Sequence, residues 1–383
     1  HAHGGARMTP HADVAVVGLG SIGSMVLWRL AARGLTVHGY ERFGVGHHRG
    51  AAGGQTRRFS TLSQRDPRNT PLALDALELW RTLEKETGAD LLTLTGGVIL
   101  GPADTPALVN AESSARDHGL DHEHLDADAL RSRFPQHLVR DNDAGVVDRL
   151  TGFVRPELSV VSAVSAARTA GAVVNDYTRV LAVEPDGGGV VVRAGRESRR
   201  YRAAVIAPGA WAPQIVPVVG AEVVPRRLVQ AWYLPRDIEA YRADRFPVFE
   251  RVGEVSAYGF PTIDGATVKV AFYTKEHPVV DDVEAVDAAI PVEHALALRE
   301  LIARYCPGLN PDPVTMTVHI EGYTADSAPL VGPLPGLDGV FAACGFSGAG
   351  FKFAPAMGDI VADHVIQKGT SRDAAFMVPG RRR

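Results

Sequence analysis

One segment near the N-terminus constrains the fold more than any other part of the chain. A β-branched run at residues 14–17 predicts a buried strand, and it ends in the glycine-rich turn Gly18-Leu19-Gly20-Ser21-Ile22-Gly23. A helical pattern continues from this turn to about Gly34, and a second predicted strand at 36–40 leads directly to Glu41. The order of these parts is that of a complete βαβ unit.

The turn residues have the properties that a bound dinucleotide requires. Gly18 permits a tight turn, Gly20 allows the backbone to approach a pyrophosphate, and Gly23 allows the helix to pack closely on the strand. The helix N-terminus presents unpaired N–H groups and a positive dipole end to the phosphates. Glu41 ends the second strand, where a carboxylate can accept a hydrogen bond from a ribose hydroxyl. The segment therefore predicts a dinucleotide site.

The chain after Glu41 distinguishes between two kinds of dinucleotide protein. A nicotinamide-binding domain would continue with alternating strands and helices, whereas residues 44–55 are a loop rich in Gly and Ala. Such a loop can wrap a large cofactor through its backbone N–H groups, and a mobile surface loop is the alternative. An apolar run at 203–207, followed by Gly209-Ala210-Trp211, predicts a second approach of the backbone to the same cofactor. The nucleotide domain therefore resumes after an insertion.

A later part of the chain has a different pattern. Residues 254–260 and 266–273 alternate between apolar and polar side chains, which indicates an antiparallel sheet, and a helix is predicted at 292–305. The whole chain of 383 residues is long enough for two domains. The predicted fold class is α/β, with a second domain that contains this sheet.

Composition limits the partners and the compartment. A net charge of -4 gives no electrostatic reason to expect nucleic acid or an anionic membrane, and no apolar stretch approaches the length that spans a bilayer. Cys306 and Cys344 lack metal-like spacing, so we expect a reducing compartment and no metal site or disulfide. We expect a cytoplasmic monomer or small homo-oligomer. Residues 1–7 are interpreted as a remnant of the expression vector before Met8.

Several further motifs follow the glycine-rich turn in a fixed order along nearly the whole chain. They are Thr56-Arg57, Pro71-Leu72-Ala73-Leu74, Gly96-Gly97-Val98, Gly209-Ala210-Trp211, Tyr258-Gly259-Phe260-Pro261, Lys269 and Gly345-Phe346-Ser347-Gly348-Ala349-Gly350-Phe351-Lys352-Phe353. In these motifs the sequence resembles the sarcosine oxidase and N-methyltryptophan oxidase branch of the D-amino-acid-oxidase superfamily.

The resemblance implies two interleaved domains. A Rossmann-like FAD-binding domain is expected at 10–85, 146–224 and 321–383. An α+β substrate domain, with a large antiparallel sheet that covers the flavin, is expected at 86–145 and 225–320.

The resemblance also implies roles for four residues in catalysis. Lys269 would lie over the flavin and activate O₂, because a cation stabilises the forming superoxide. Lys352 would lie at the pyrimidine edge of the flavin and reach a substrate carboxylate. Arg57 would lie beside the flavin, and Tyr258 would contact the bound substrate. The simpler alternatives are a solvent-facing lysine in a strand, a plain helix-start loop and a core tyrosine.

A larger set of residues is expected to contact the cofactor. They are Gly18, Gly20, Ser21, Ile22, Gly23, Glu41, Arg42, His47, Gly50, Ala51, Ala52, Thr56, Arg57, Val180, Gly209, Trp211, Gly348, Gly350, Phe351 and Lys352. FAD should be bound non-covalently, because Glu321 stands where the family has the cysteine that is linked to the flavin. Ser60 replaces a carboxylate-binding arginine of the family, and Tyr273 and Ala52-Gly53 replace histidines. The cofactor site is thus kept while the substrate site differs.

The predicted function is that of a FAD-dependent oxidase acting on a secondary, cyclic or N-alkylated amine, often an amino acid, with transfer of hydride to flavin N5. Its partners would be a small amine and O₂, which gives H₂O₂. The nearest alternative is a flavin dehydrogenase of amines or 2-hydroxy acids that uses another electron acceptor. A non-catalytic nucleotide-binding protein and a NAD-dependent dehydrogenase are weaker alternatives.

Overall fold

The computed structural model describes residues 12–220, 222–273 and 277–381. The expected vector remnant at residues 1–7 lies outside the described residues. The strands, in chain order, are β1 (Ala12–Val17), β2 (Val37–Tyr40), β3 (Arg57–Phe59), β4 (Leu92–Thr93), β5 (Gly97–Pro102), β6 (His122–Leu125), β7 (Asp143–Asp148), β8 (Gly152–Val154), β9 (Val173–Asn175), β10 (Val180–Asp186), β11 (Gly189–Ala194), β12 (Glu197–Ile206), β13 (Val224–Tyr233), β14 (Val248–Arg251), β15 (Ser256–Gly259), β16 (Val268–Tyr273), β17 (Thr315–Tyr323), β18 (Leu330–Pro333) and β19 (Val340–Cys344). The helices are α1 (Gly23–Ala32), α2 (Asn69–Thr87), α3 (Pro106–Asp117), α4 (Ala127–Arg133), α5 (Pro156–Thr169), α6 (Ala212–Ile215), α7 (Pro217–Gly220), α8 (Val292–Tyr305) and α9 (Ala354–Gln367).

The first sheet is built around β1. This strand pairs in parallel with β2 and β12, β2 continues in parallel to β9, and β19 joins β12 in parallel. Side chains of β1 alternate between two cores, with Val14 and Val16 in one and Ala15 and Val17 in the other. A strand buried on both faces explains why this segment is a continuous apolar run. The βαβ unit predicted from the sequence is confirmed.

An ion-pair cluster ties α1 to the C-terminal helix α9. Asp359 accepts from Arg29 at 2.6 Å and from Arg33 at 2.8 Å, and Asp363 accepts from Arg33 at 2.6 Å. Both carboxylates are largely buried, and such partly buried, networked pairs hold geometry better than isolated surface pairs. The two helices that begin beside the site described below are therefore fixed relative to each other.

The second sheet has the strand order β17-β13-β16-β15-β14-β5-β7-β6 and is antiparallel except at the β14–β5 pair. Val268, Val270 and Phe272 of β16 pack in a core with Leu298 and Ile302 of α8. Because successive side chains of a strand point to opposite faces, Lys269 and its alternate neighbours lie on the other face. The α/β class with a large, mainly antiparallel second sheet is confirmed.

The predicted domain boundaries can be compared with the sheets. The first sheet uses strands between residues 12 and 40, 173 and 206, and 330 and 344, and the second uses strands between 97 and 148 and between 224 and 323. The boundaries at 145/146 and 320/321 fall inside β7 and β17. The helix predicted at 292–305 is confirmed as α8. No described helix is long and apolar enough to cross a membrane.

Candidate cofactor and active site

The glycine-rich turn has three glycines with different surroundings. Gly18 has φ +88°, and a Cβ atom there would lie 2.6 Å from the carbonyl oxygen of Ala207. A Cβ atom on Gly23 would lie 1.8 Å from the carbonyl oxygen of Gly18. A Cβ atom on Gly20 would meet no protein atom within 4 Å, because this residue faces an open cleft. Gly18 and Gly23 are therefore required by protein packing, whereas Gly20 borders space for a ligand.

Glu41 is oriented at the edge of this cleft by three hydrogen bonds. Its carboxylate accepts from the backbone N–H groups of Leu19 and Phe43, both at 2.9 Å, and His47 Nε2 lies 3.3 Å away. Burial raises the pKa of Glu41, but the bonds from His47 and the two backbone groups outweigh it and bring the pKa below its ordinary value. Glu41 is therefore ionised and can accept a hydrogen bond from a ribose hydroxyl.

Most of the residues expected to contact the cofactor line the same cleft. They are Gly18, Gly20, Ser21, Ile22, Glu41, Arg42, His47, Gly50, Ala51, Ala52, Val180, Gly209 and Trp211. Arg57, Gly348, Gly350 and Phe351 instead border a small cavity that continues from the cleft. Gly23 and Thr56 are not among the residues found lining these spaces in the described chain. Thr56 contributes its carbonyl oxygen to the contacts described next.

The glycine-rich loop at 44–55 is held by the second sheet. Lys269 Nζ donates to the carbonyl oxygens of Gly54 at 2.8 Å and Thr56 at 2.9 Å. His319 Nδ1 lies 3.2 Å from the carbonyl oxygen of Gly50. Because a carbonyl can only accept, Nδ1 of His319 carries the proton, and Nε2 accepts from the hydroxyl of Thr317 at 2.8 Å. Two buried side chains thus fix the backbone that lines the cleft.

The same loop is held from the first domain as well. Glu157 Oε1, at the start of α5, accepts from the backbone N–H groups of Gly54 at 2.7 Å and Gln55 at 3.2 Å. Gln55 has φ +68°, an uncommon conformation for a residue with a side chain, and its Oε1 accepts from Trp232 Nε1 at 3.2 Å. Arg57 Nη2 donates to the carbonyl oxygen of Ala51 at 2.6 Å. This loop is therefore bonded to both parts of the fold, which favours the interpretation as a loop around a cofactor over that as a mobile surface loop.

A second cavity adjoins the cleft on the side of the second sheet. Among the predicted residues, it is lined by Arg57, Tyr258, Gly348, Phe351 and Lys352. We call this space the inner cavity. Tyr258 and Tyr273 come from adjacent strands, and their ring centroids are 5.1 Å apart. Burial raises the pKa of Tyr258 to about 12, so its hydroxyl stays protonated and can donate a hydrogen bond.

Lys352 reaches the inner cavity from a single 3-10 turn at Phe351–Phe353, immediately before α9. Its backbone is fixed by Trp80, whose Nε1 donates to the Lys352 carbonyl oxygen at 3.1 Å. Burial lowers the pKa of Lys352 to about 7, and the charge of Arg58 contributes to this shift. Arg58 itself pairs with Glu250 at 2.8 Å.

Lys269 lies close to the inner cavity but is not among the residues found lining it in the described chain. It is 3% exposed, and its Nζ lies 5.3 Å from the ring centroid of Trp232 and 5.2 Å from that of Phe260. Burial, and secondarily the charge of Arg57, lowers the pKa of Lys269 well below its ordinary value. The alternative of a solvent-facing lysine is therefore wrong. Its position over a bound flavin stays a prediction.

Some residues at the site were missed by the sequence analysis. Gln230 lines the inner cavity, and its Oε1 lies 3.5 Å from Arg57 Nη1. His319 and Glu157 hold the loop. The alternation of polar residues along β17 is the signal that could have identified His319, whereas β13 has no such alternation that would mark Gln230. No local signal marks Glu157.

Comparisons with known proteins bear on this arrangement of cleft and cavity. Residues 13–364 match a family described as DAO, FAD dependent oxidoreductase. The chain belongs to this family. It is 34% identical over 380 residues to monomeric sarcosine oxidase of Streptomyces avermitilis, with 98% of each protein covered. It is 30% identical over 369 residues to N-methyl-L-tryptophan oxidase of Salmonella enteritidis PT4, with 94% of this chain and 96% of that protein covered.

Two solved structures show the same fold. NikD, described as an unusual amino acid oxidase, superposes with a TM-score of 0.83 at 22% identity, covering 97% of this chain and 98% of the other. Glycine oxidase from Geobacillus kaustophilus superposes with a TM-score of 0.81 at 23% identity, covering 98% and 100%. At these identities the likeness extends to the fold alone.

The residues of this FAD-dependent oxidoreductase fit its cofactor. The open space at Gly20 and the ionised Glu41 suit the pyrophosphate and a ribose. Glu321 lines the cleft, the small cavity and the inner cavity, so it lies where they meet. Its Oε2 is buried without a hydrogen-bond partner in the described chain, and burial raises its pKa. Buried polar atoms normally have a hydrogen-bond partner, so this unpartnered oxygen indicates that a bound cofactor would supply the missing partner.

The two cysteines do not offer an alternative attachment point. Cys344 lines the cleft, but burial raises the pKa of its thiol to about 12. Cys306 lies in the core beneath the second sheet, and burial raises its pKa to about 12 as well. The thiolate is the nucleophilic form, so neither residue is activated at neutral pH.

Proposed function

We propose that this protein is a FAD-dependent oxidase of a secondary, cyclic or N-alkylated amine that is usually an amino acid. The observation that carries the proposal is the inner cavity, which joins the cofactor cleft and presents the cations Arg57 and Lys352 beside the tyrosine Tyr258. The similarity over nearly the full length to proteins named monomeric sarcosine oxidase and N-methyl-L-tryptophan oxidase supports the choice of an amine.

FAD would supply a two-electron acceptor for the C–H bond next to the substrate nitrogen. The residues of the chain would supply binding and orientation. Lys352 would bind a substrate carboxylate, and Tyr258 would offer a hydrogen bond from its protonated hydroxyl. Arg57 would place a positive charge where negative charge develops during the reaction. The product imine is hydrolysed by water to an amine and a carbonyl compound.

We further propose that O₂ is the final electron acceptor and that H₂O₂ is released. Lys269 supports this part of the proposal, since its buried Nζ and Arg57 Nη1 both donate to the carbonyl oxygen of Thr56, beside the loop that lines the cleft. A cytoplasmic location is consistent with the two buried, unpaired cysteines.

The test is a panel of amines and 2-hydroxy acids mixed with the purified holoenzyme without oxygen. Bleaching of the flavin spectrum by amines such as sarcosine, proline, pipecolate or N-methyltryptophan is expected. Bleaching by hydroxy acids alone would contradict the proposal. Admission of air should then restore the spectrum with one H₂O₂ per amine oxidised, whereas recovery only with an artificial dye would assign a dehydrogenase.

A further inference from the structure

The inner cavity opens into a second and larger space, which we call the outer chamber. Six residues line both spaces, so the two are continuous: Gln64, Arg65, Glu250, Tyr273, Tyr323 and Ser347. The outer chamber has a volume of about 960 Å³, against about 150 Å³ for the inner cavity. A substrate that occupies both must be elongated.

Two arginines that have no acidic partner among the described residues line the outer chamber. Arg65 is exposed, and no carboxylate among residues 12–220, 222–273 and 277–381 pairs with it. Arg226 Nη1 donates to the carbonyl oxygen of His277 at 2.8 Å, and its guanidinium lies 5.7 Å from the ring centroid of Tyr323. Neither contact neutralises the charge of Arg226. Both arginines can therefore donate to an anionic group of a ligand.

The acids of the chamber are already engaged. Glu250 accepts from Arg58 and from Gln64 Nε2, both at 2.8 Å. Glu222 also has an interaction partner. Among the described residues, the chamber therefore has as many arginines as carboxylates, and its two arginines have no carboxylate partner.

The position of Arg65 matters because Ser60 replaces the arginine with which the family binds the substrate carboxylate. Ser60 is 1% exposed, and its hydroxyl accepts from the Leu62 backbone N–H at 3.2 Å. Because Ser60 carries no charge, we assign the first carboxylate of the substrate to Lys352 in the inner cavity. Arg65 lies further along the same segment and reaches the neck between the two spaces.

We propose that the outer chamber binds a second anionic group of the substrate, and that the substrate class is a secondary amine with two acidic groups. Lys352 holds the acidic group nearest the reacting nitrogen, and Arg65 and Arg226 hold the distal one. Tyr273 and Tyr323 cover the chain of atoms between them at the neck. This inference rests on the proposed amine oxidation and specifies the substrate of that same site.

The reaction balances without any further reagent. The C–N bond of the diacid loses two electrons and two protons to become an imine, and water hydrolyses the imine to a primary amine and an oxo compound. O₂ accepts the two electrons and two protons as H₂O₂. The distal acidic group takes no part in the bond changes and contributes binding alone.

The experiment compares N-(ω-carboxyalkyl)glycines of increasing chain length with N-alkylglycines of the same length that lack the distal carboxylate. For the best length, kcat/KM should be about ten- to a hundredfold higher for the diacid, which is the value of one or two charged hydrogen bonds. In Arg65→Gln the ratio of kcat/KM for the diacid to kcat/KM for the N-alkylglycine of the same length should fall by about tenfold or more. Arg196→Gln, an exposed arginine in the turn between β11 and β12, is the matched control and should keep the preference.

A readout independent of turnover uses the ether analogues of the same diacids, which cannot be oxidised at nitrogen. They should perturb the flavin spectrum of the wild type with a lower Kd than their monoacid counterparts, and Arg65→Gln should remove the difference. Equal kcat/KM for diacids and monoacids, together with equal Kd, would overturn the outer anion site and leave the amine oxidase intact. Failure of every amine to bleach the flavin would instead overturn the proposed function.

Discussion

The charge of Lys352 depends on pH in the range where the enzyme would work. With a pKa of about 7, lowered by burial and by Arg58, this side chain is cationic below that pH and neutral above it. An amine that carries a carboxylate should therefore show a KM that rises about tenfold per pH unit once the pH exceeds the pKa of Lys352 in the enzyme. Binding of the carboxylate favours the cation and moves this rise to higher pH.

The measurement compares KM against pH for pipecolate and for its decarboxylated analogue piperidine, because protonation of the substrate nitrogen affects both. The extra dependence of pipecolate should vanish in Lys352→Met, with KM raised about ten- to a hundredfold at low pH. A similar loss for piperidine would show that Lys352 does not bind the carboxylate.

Lys269 can be tested against His319, because both hold the glycine-rich loop and only one is proposed to act on O₂. Lys269→Met should slow reoxidation of the reduced enzyme by about a hundredfold or more while its reduction by substrate suffers much less, since electrostatic stabilisation of developing charge contributes on this scale. His319→Gln, which loses a contact to the Gly50 carbonyl, should weaken FAD binding without this asymmetry. Stopped-flow measurement of flavin reduction by substrate and of flavin reoxidation by O₂ distinguishes these outcomes. Equal losses in both half-reactions of Lys269→Met would assign Lys269 to the loop alone.

The glycine-rich turn and the helix after it form the element that sequence analysis predicted best. Its parts are consecutive, and each is marked by a local property, such as β-branched residues at 14–17 or the glycines. The alternation along β16 likewise placed Lys269 opposite the apolar face that meets α8. The contacts of His319 with Gly50 and of Glu157 with Gly54 join residues 269 and 103 positions apart. No local pattern encodes such pairings, so they required the folded chain.

Gly20 provides a test of the turn as a cofactor site that is separate from folding. Gly20→Val places a β-branched side chain in space that no protein atom occupies, so the apoprotein should fold with an unchanged Tm. The same side chain should block the approach of the backbone to the pyrophosphate, and the purified protein should contain no FAD. Gly369→Val, also in open space but away from the cleft, should retain FAD. FAD retention by Gly20→Val would contradict the assignment of the cleft.

At the scale of the whole molecule, the cleft that fits the cofactor lies where the two large sheets meet. The loop at 44–55 lines the cleft of the first sheet, yet Lys269, His319 and Trp232 of the second sheet hold it. Binding of FAD should therefore stabilise the folded state of both the first and the second sheet. The resemblance places Glu321 where the family has its attachment cysteine, so we expect FAD to bind reversibly.

Two measurements follow for the wild-type holoenzyme. Precipitation with acid should release the yellow colour into the supernatant, because Glu321 cannot form a thioether and the buried Cys344 thiol is not activated. The Tm of the reconstituted protein should rise continuously with the concentration of free FAD, since a ligand at a hundred times its Kd stabilises the folded state by about 2.7 kcal/mol. A covalent flavin would give a Tm independent of added FAD. A yellow pellet, or a chain heavier by the mass of FAD, would contradict this prediction. It would show that the flavin is covalently attached at a different position of the chain.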